Sequence, residues 1–180
     1  MTYSPNEKPL LFLVTGSRGA GKTTFCKTLV KAAREAGWKV SGMISHPVYE
    51  DNQRTGIDAE DLSTGERRRL AVRSDQPTPG AKHWQFDDAA ITWGNQVFQA
   101  SLPSDLFIVD ELGPLEFEQN AGWQDAFAAV DSNQYAISIV VARSEMLGQV
   151  LLRWPAGNLV EIDTPEDSVR KAQVLSDQLF

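Results

Sequence analysis

The sequence predicts a three-layer α/β/α sandwich around a mostly parallel sheet, and three observations predict it. Short continuous apolar runs alternate with stretches of helical periodicity. A glycine-rich turn joins the first apolar run to the first helical stretch. A later apolar run ends on two adjacent carboxylates.

Leu10–Thr15 (LLFLVT) is a strand buried on both faces. A helix starts near Lys22, with Leu29, Val30 and Ala33 on its apolar stripe, and Gly37 ends it. Val40–Ser45 reads as a second strand. From Pro47 to Arg73 the pattern breaks: turn signals at Asp51-Asn52 and Thr64-Gly65 separate short segments, predicting a small β-hairpin insertion with charged tips. Gln76–Gly80 is a loop and Trp84–Phe86 a further short strand. Asp87 caps a helix running to about Ala100, with Ile91, Val97 and Phe98 turned inward. Leu106–Val109 is the next buried strand, Trp123–Val130 a helix, and Ala136–Ala142 another strand. Ser144–Arg153 is helical, Leu159–Ile162 the last strand, and Pro165–Leu179 a closing helix with proline in its first turn. The whole, residues 1–180, reads as a single domain without internal repeats.

Acidic residues outnumber basic ones 24 to 17, for a net charge of −7, which argues against a broad nucleic-acid or anionic-membrane surface. A protein partner stays open. Cys26 is the sole cysteine, so no intrachain disulfide forms, and His46 and His83 are too few for a histidine metal cluster. The opening segment lacks a basic leader, and no apolar run has the length of a membrane span. The expectation is a soluble cytoplasmic protein.

Gly16-Ser17-Arg18-Gly19-Ala20-Gly21-Lys22-Thr23 fits G-x-x-x-x-G-K-[ST] at every fixed position, between a strand and a helix. Glycines let the backbone wrap a phosphate with its N–H groups pointing inward, and the helix N-terminus adds free amides and a positive dipole end. Lys22 would reach the β and γ oxygens of a nucleoside triphosphate, ATP, GTP or another, and the Thr23 hydroxyl would ligate Mg²⁺. Thr24 closes the cradle. Arg18 either leans over the phosphates or points to solvent. Cys26, one turn in, packs as a small apolar residue or reacts as a thiol.

Leu106–Glu111 (LFIVDE) supplies the second half of a phosphate-cleaving site. Asp110 would hold Mg²⁺, and Glu111 would polarise a water for attack on the γ-phosphate. Gly113-Pro114 forces a turn that keeps both acids at the sheet's C-terminal edge, where ligands of open α/β sheets gather. By analogy with other phosphate-loop proteins carrying such a pair, Ala136–Val141 should lie between the loop strand and the acidic strand.

Gly21-Lys22-Thr23-Thr24 and Asp110-Glu111-Leu112-Gly113-Pro114-Leu115-Glu116 together resemble the THEP1-type nucleoside-triphosphatases, a family of P-loop NTPases with a GKTT loop and a DEIGPME-like strand end. Arg54-Thr55-Gly56-Ile57-Asp58 and Leu62–Glu66 extend the resemblance. It implies slow Mg²⁺-dependent hydrolysis of several nucleoside triphosphates, and a role for Glu116 that is either chemical or confined to tying down its loop. The chain departs from the family's T-E-E-V-R at Ser45-His46-Pro47-Val48-Tyr49, and from its G-K-Y at Lys82-His83-Trp84, which marks a divergent branch.

Arg143, directly after AISIVVA, would emerge at the ligand edge as an arginine finger supplied in cis, or cap the strand at the surface. Arg54 would close over the nucleotide or be exposed, and His46 would contact a water or be structural. Arg67-Arg68-Arg69 is a solvated hairpin face or a contact for an acidic partner. The five tryptophans belong to the core or an interface, and no base-reading motif is visible. Three functions compete: a triphosphate hydrolase, a nucleotide or small-molecule kinase with the insertion as its lid, and a non-catalytic accessory resembling the MobB proteins.

Overall fold

A computed structural model describes residues 4, 7–79, 81 and 83–180. The start of the opening segment, Gly80 of the predicted loop and Lys82 lie outside the described residues. Eight strands form one sheet: β1 (Leu10–Gly16), β2 (Val40–Glu50), β3 (Gln53–Asp61), β4 (Arg67–Arg73), β5 (Trp84–Phe86), β6 (Ser104–Leu112), β7 (Tyr135–Ala142) and β8 (Asn158–Ile162). Their order is β5-β4-β3-β2-β6-β7-β1-β8. The five strands β2, β6, β7, β1 and β8 pair in parallel, as strands joined by helical crossovers must. β7 lies between the loop strand β1 and the acidic strand β6, as expected from the Asp-Glu pair.

Six helices connect them: α1 (Lys22–Glu35), α2 (Asp88–Ala100), α3 (Pro114–Glu118), α4 (Gln124–Asp131), α5 (Leu147–Arg153) and α6 (Pro165–Leu179). The sheet has an apolar cluster on each face. Leu106 and Ile108 of β6 and Ile137, Ile139 and Val141 of β7 join Phe25, Leu29 and Ala33 of α1 and Ala172 of α6. Phe107 and Val109, with Val140, join Trp93 and Phe98 of α2, Phe127 and Val130 of α4, and Val150 of α5. Continuous apolar runs in β6 and β7 follow from this, because both sets of alternating side chains are buried. Cys26 is fully buried in the α1 cluster, and burial pushes its thiol well above the usual range, so it packs as an apolar residue.

The region after residue 45 has the expected antiparallel hairpins, turning at Asp51-Asn52 and around Thr64-Gly65. β2 is longer than read from the sequence: it runs on to Glu50, and β3, β4 and β5 extend the same sheet as an antiparallel wing. β2 tolerates Pro47 because its pairing with β6 ends at Met43, so beyond that point one side of the strand has no ladder to supply. Asp51 and Asn52 turn the hairpin with positive φ, the conformation those residue types accept best. The basic cluster is neutralised on the wing itself, Arg67 by Glu60, Arg68 by Glu66 and Arg69 by Asp58.

Candidate nucleotide site

The loop Gly16–Thr23 leaves β1 at the C-terminal edge of the parallel strands and enters α1 directly. Gly16 allows this exit: a Cβ there would fall 2.2 Å from the Ile162 carbonyl oxygen of the neighbouring β8. Gly21 stands at the N-cap of α1 in a left-handed conformation and has no side chain to cap the first turn. No acidic residue occupies that turn either. α2 and α6 are built the other way, with Asp87 and Thr164 as side-chain caps and acids in their first turns. The amides at the start of α1 are therefore left for an external anion. The Ser168 hydroxyl of α6 donates to the Gly21 carbonyl at 2.7 Å and fixes the loop's end. Sequence reasoning missed Ser168, and only the packing of α6 on α1 reveals it.

Lys22 is buried, and its Nζ donates to the carbonyl oxygens of Gly16 at 2.9 Å and Ser17 at 3.2 Å. The same ammonium lies 3.5 Å from Glu111 Oε2. Arg143 Nε donates to Glu111 Oε1 at 2.9 Å, so the glutamate sits between two cations. Arg143 thus lies at the ligand edge rather than on an outer surface. Arg18 is exposed at the mouth of the loop.

Asp110 is buried, and its Oδ2 accepts from the Thr23 hydroxyl at 2.9 Å. Ser45 braces it from β2, with its amide 3.3 Å from Oδ2 and its hydroxyl donating to the Asp110 carbonyl at 2.6 Å. Burial first, and the neighbouring Glu111 second, push the Asp110 carboxyl up to about 7, against the pull of Thr23, Ser45 and Lys22. A buried carboxyl short of positive charge, beside a hydroxyl at the loop's end, is a set of hard oxygen donors that fits Mg²⁺.

A break in register brings both acids to one place. Asp110 pairs with Val141 and Leu112 with Ala142, so Glu111 is an extra residue in β6 opposite no partner. Asp110 keeps the phase of Leu106 and Ile108 toward α1, whereas Leu112 rejoins Phe107 and Val109 on the other face. In an unbroken strand adjacent side chains would diverge, and the bulge lets both carboxylates meet the loop.

Beyond the acids the chain turns into α3, missed in the sequence because five residues carry too little periodicity. Glu116 is buried and accepts from the Gly113 amide at 2.8 Å and the Trp123 amide at 3.1 Å. Burial raises its pKa, opposed by those two amides. Both its oxygens are engaged in tying down the loop.

The loop opens on a cleft of about 570 Å³ that reaches toward the wing. Ser45, Pro47 and Tyr49 of β2 face it, and Ile44 and His46 face the opposite side. Strand alternation therefore sends His46 away from the phosphate loop, where its Nε2 lies 2.7 Å from Glu60 Oε2. Arg54 of β3 does line the cleft, with its guanidinium 5.2 Å from the centre of the Trp84 ring.

A parallel α/β core with a glycine loop after its first strand, and paired acids on the strand two places away, defines a class of phosphate-handling sheet proteins. A family profile described as NTPase matches residues 11–170. The nucleoside-triphosphatase THEP1 of Methanopyrus kandleri is 31% identical over 132 residues, 73% of this chain and 73% of that one. THEP1 of Methanosarcina acetivorans is 37% identical over 109 residues, 59% of this chain and 62% of its own length. A solution structure of a human cancer-related nucleoside triphosphatase, 18% identical, superposes with a TM-score of 0.70 over 94% of this chain and 97% of that one. The chain belongs to the THEP1-type nucleoside-triphosphatase family.

Proposed function

We propose that the protein is a Mg²⁺-dependent nucleoside-triphosphatase, a P-loop sandwich of one domain that cleaves ATP, GTP or related triphosphates to diphosphate and phosphate. The observation that carries this reading is Glu111, which stands 3.5 Å from the loop lysine and outside the strand register. The backbone amides from Gly16 to Thr24 would receive the phosphates, with Ser17, Arg18, Gly19 and Ala20 forming the wall and Gly21 the entry to the helix. Thr23 and Asp110 would hold Mg²⁺, which when bound offsets charge on the β and γ oxygens.

Lys22 would exchange its carbonyl partners Gly16 and Ser17 for phosphate oxygens. Arg143 would shift its charge from Glu111 to the γ-phosphate. Both moves release Glu111 to accept the proton of an attacking water as its oxygen bonds to phosphorus and the diphosphate departs. Glu116 keeps a positioning role, since its oxygens are held by amides.

The test is phosphate release from the four common triphosphates with and without Mg²⁺. Lys22→Ala is expected to abolish it. Glu111→Gln is expected to lower kcat by about 10²–10⁴-fold while nucleotide binding persists, the range of a lost general base. Tight binding without release from any triphosphate would replace this reading with that of an accessory protein.

A further inference from the structure

The cleft runs from the phosphate loop to the wing side, where Ile57, Leu70, Trp84, Phe86 and Ile91 wall it. The side chains of Ile57, Leu70, Phe86 and Ile91 offer no hydrogen bond to phosphate oxygens or to a water. The wall gives an apolar side to a cleft whose loop side is polar, and the whole cleft has the size range of a small-molecule pocket.

The polar group at its border is Arg54. Among the described residues it has no acidic partner, and its Nε is shut off from solvent with no hydrogen-bond partner. Of the cleft's other cations, Lys22 and Arg143 are both engaged with Glu111, and Arg18 and Lys27 are exposed. The guanidinium lies over Trp84, which holds it at the junction between phosphate loop and apolar wall. Arg18 and Arg143 act against its charge, and Glu111, itself held by Lys22 and Arg143, acts for it. A partly buried arginine with no direct ion pair is placed to receive an anion.

We propose that the wing side of this cleft is a second-ligand subsite, taking a small molecule with a flat apolar body and one anionic group. The body stacks among Trp84, Phe86 and Ile91, and the anion meets Arg54. The occupant would lie beside the γ-phosphate, so the placement rests on the nucleotide reading above. The subsite itself does not depend on turnover.

The probe is 8-anilino-1-naphthalenesulfonate, a sulfonate on a flat naphthalene body whose emission rises in apolar surroundings, titrated into the chain. One saturable site is expected, weakened at least about tenfold by Arg54→Gln, the loss of one charge-assisted hydrogen bond, and largely kept by Arg54→Lys. Ile91→Gln should weaken it as well, with thermal melting used to verify that each variant is folded. Saturating ADP should leave the dye in place. Unsaturable binding, affinity indifferent to Arg54→Gln, or displacement by ADP would overturn the subsite. Phosphate release without dye binding overturns the subsite alone, and dye binding without phosphate release overturns the hydrolase alone.

Discussion

Glu111 shows how closely charges are balanced in the free site. Lys22 and Arg143 hold it from two sides, so both its oxygens are engaged in the free site. His46 is a second lesson at this scale. Its pKa is lowered, mainly by burial, then by Lys27 and Arg67, with Glu60 pulling the other way, and Lys31 and Arg34 line the same groove. Because the unfolded chain binds the proton more readily, the neutral ring's contribution to stability is complete above about pH 6.5. It is lost as pH falls through the lower folded value. The melting temperature of the protein minus that of His46→Gln, followed from pH 8 to pH 5, should therefore shrink toward acid; a gap that widened would refute this account. From the sequence His46 reads as the end of a strand near the site; it lies within β2, which runs on to Glu50, and the face it takes depends on strand phase.

Elements that carry local chemistry were legible, and those set by their neighbours were not. The glycine loop and the acidic strand declare themselves, since the residue types that bind phosphate cannot be exchanged freely. β2 was read too short because Pro47 argues against a strand, and only the absence of a β6 partner beyond Met43 makes it harmless. Ser45 was noted as a departure from the family pattern, yet its side chain and amide brace Asp110. The α3–α4 connection depends on Gly122, whose φ is +69° and whose Cβ would fall 2.0 Å from Glu116 Oε1. Gly122→Ala should cost about 2 kcal/mol or more, combining backbone strain with displacement of a buried carboxylate. In a chain of this length that lowers the melting temperature by roughly 4–8 °C, measurable by calorimetry.

At the scale of the molecule, the loop joins pieces far apart in the chain: β1, α1, the end of β6 and, through Ser168, α6. A ligand there ties them together. ADP at about a hundredfold its Kd should add about 2.7 kcal/mol, raising the melting temperature by roughly 5–10 °C, and Lys22→Ala should remove most of the gain. The sheet's overall order was half legible: its parallel core and the hairpins of the wing were foreseen, while the joining of those hairpins to the same sheet was not. That wing also decides where the sheet stops. One border is β5, three residues long, with the charged Arg67–Arg69 end of β4 uncovered beside it. The other is β8, five residues with Leu159 and Glu161 exposed along it. A foreign strand laid on the first finds too few free amides to zip up, and on the second it meets a carboxylate. Eight strands thus close their own account: the sheet is poor seed for fibrils, and copies of the chain gain little by pairing edge to edge.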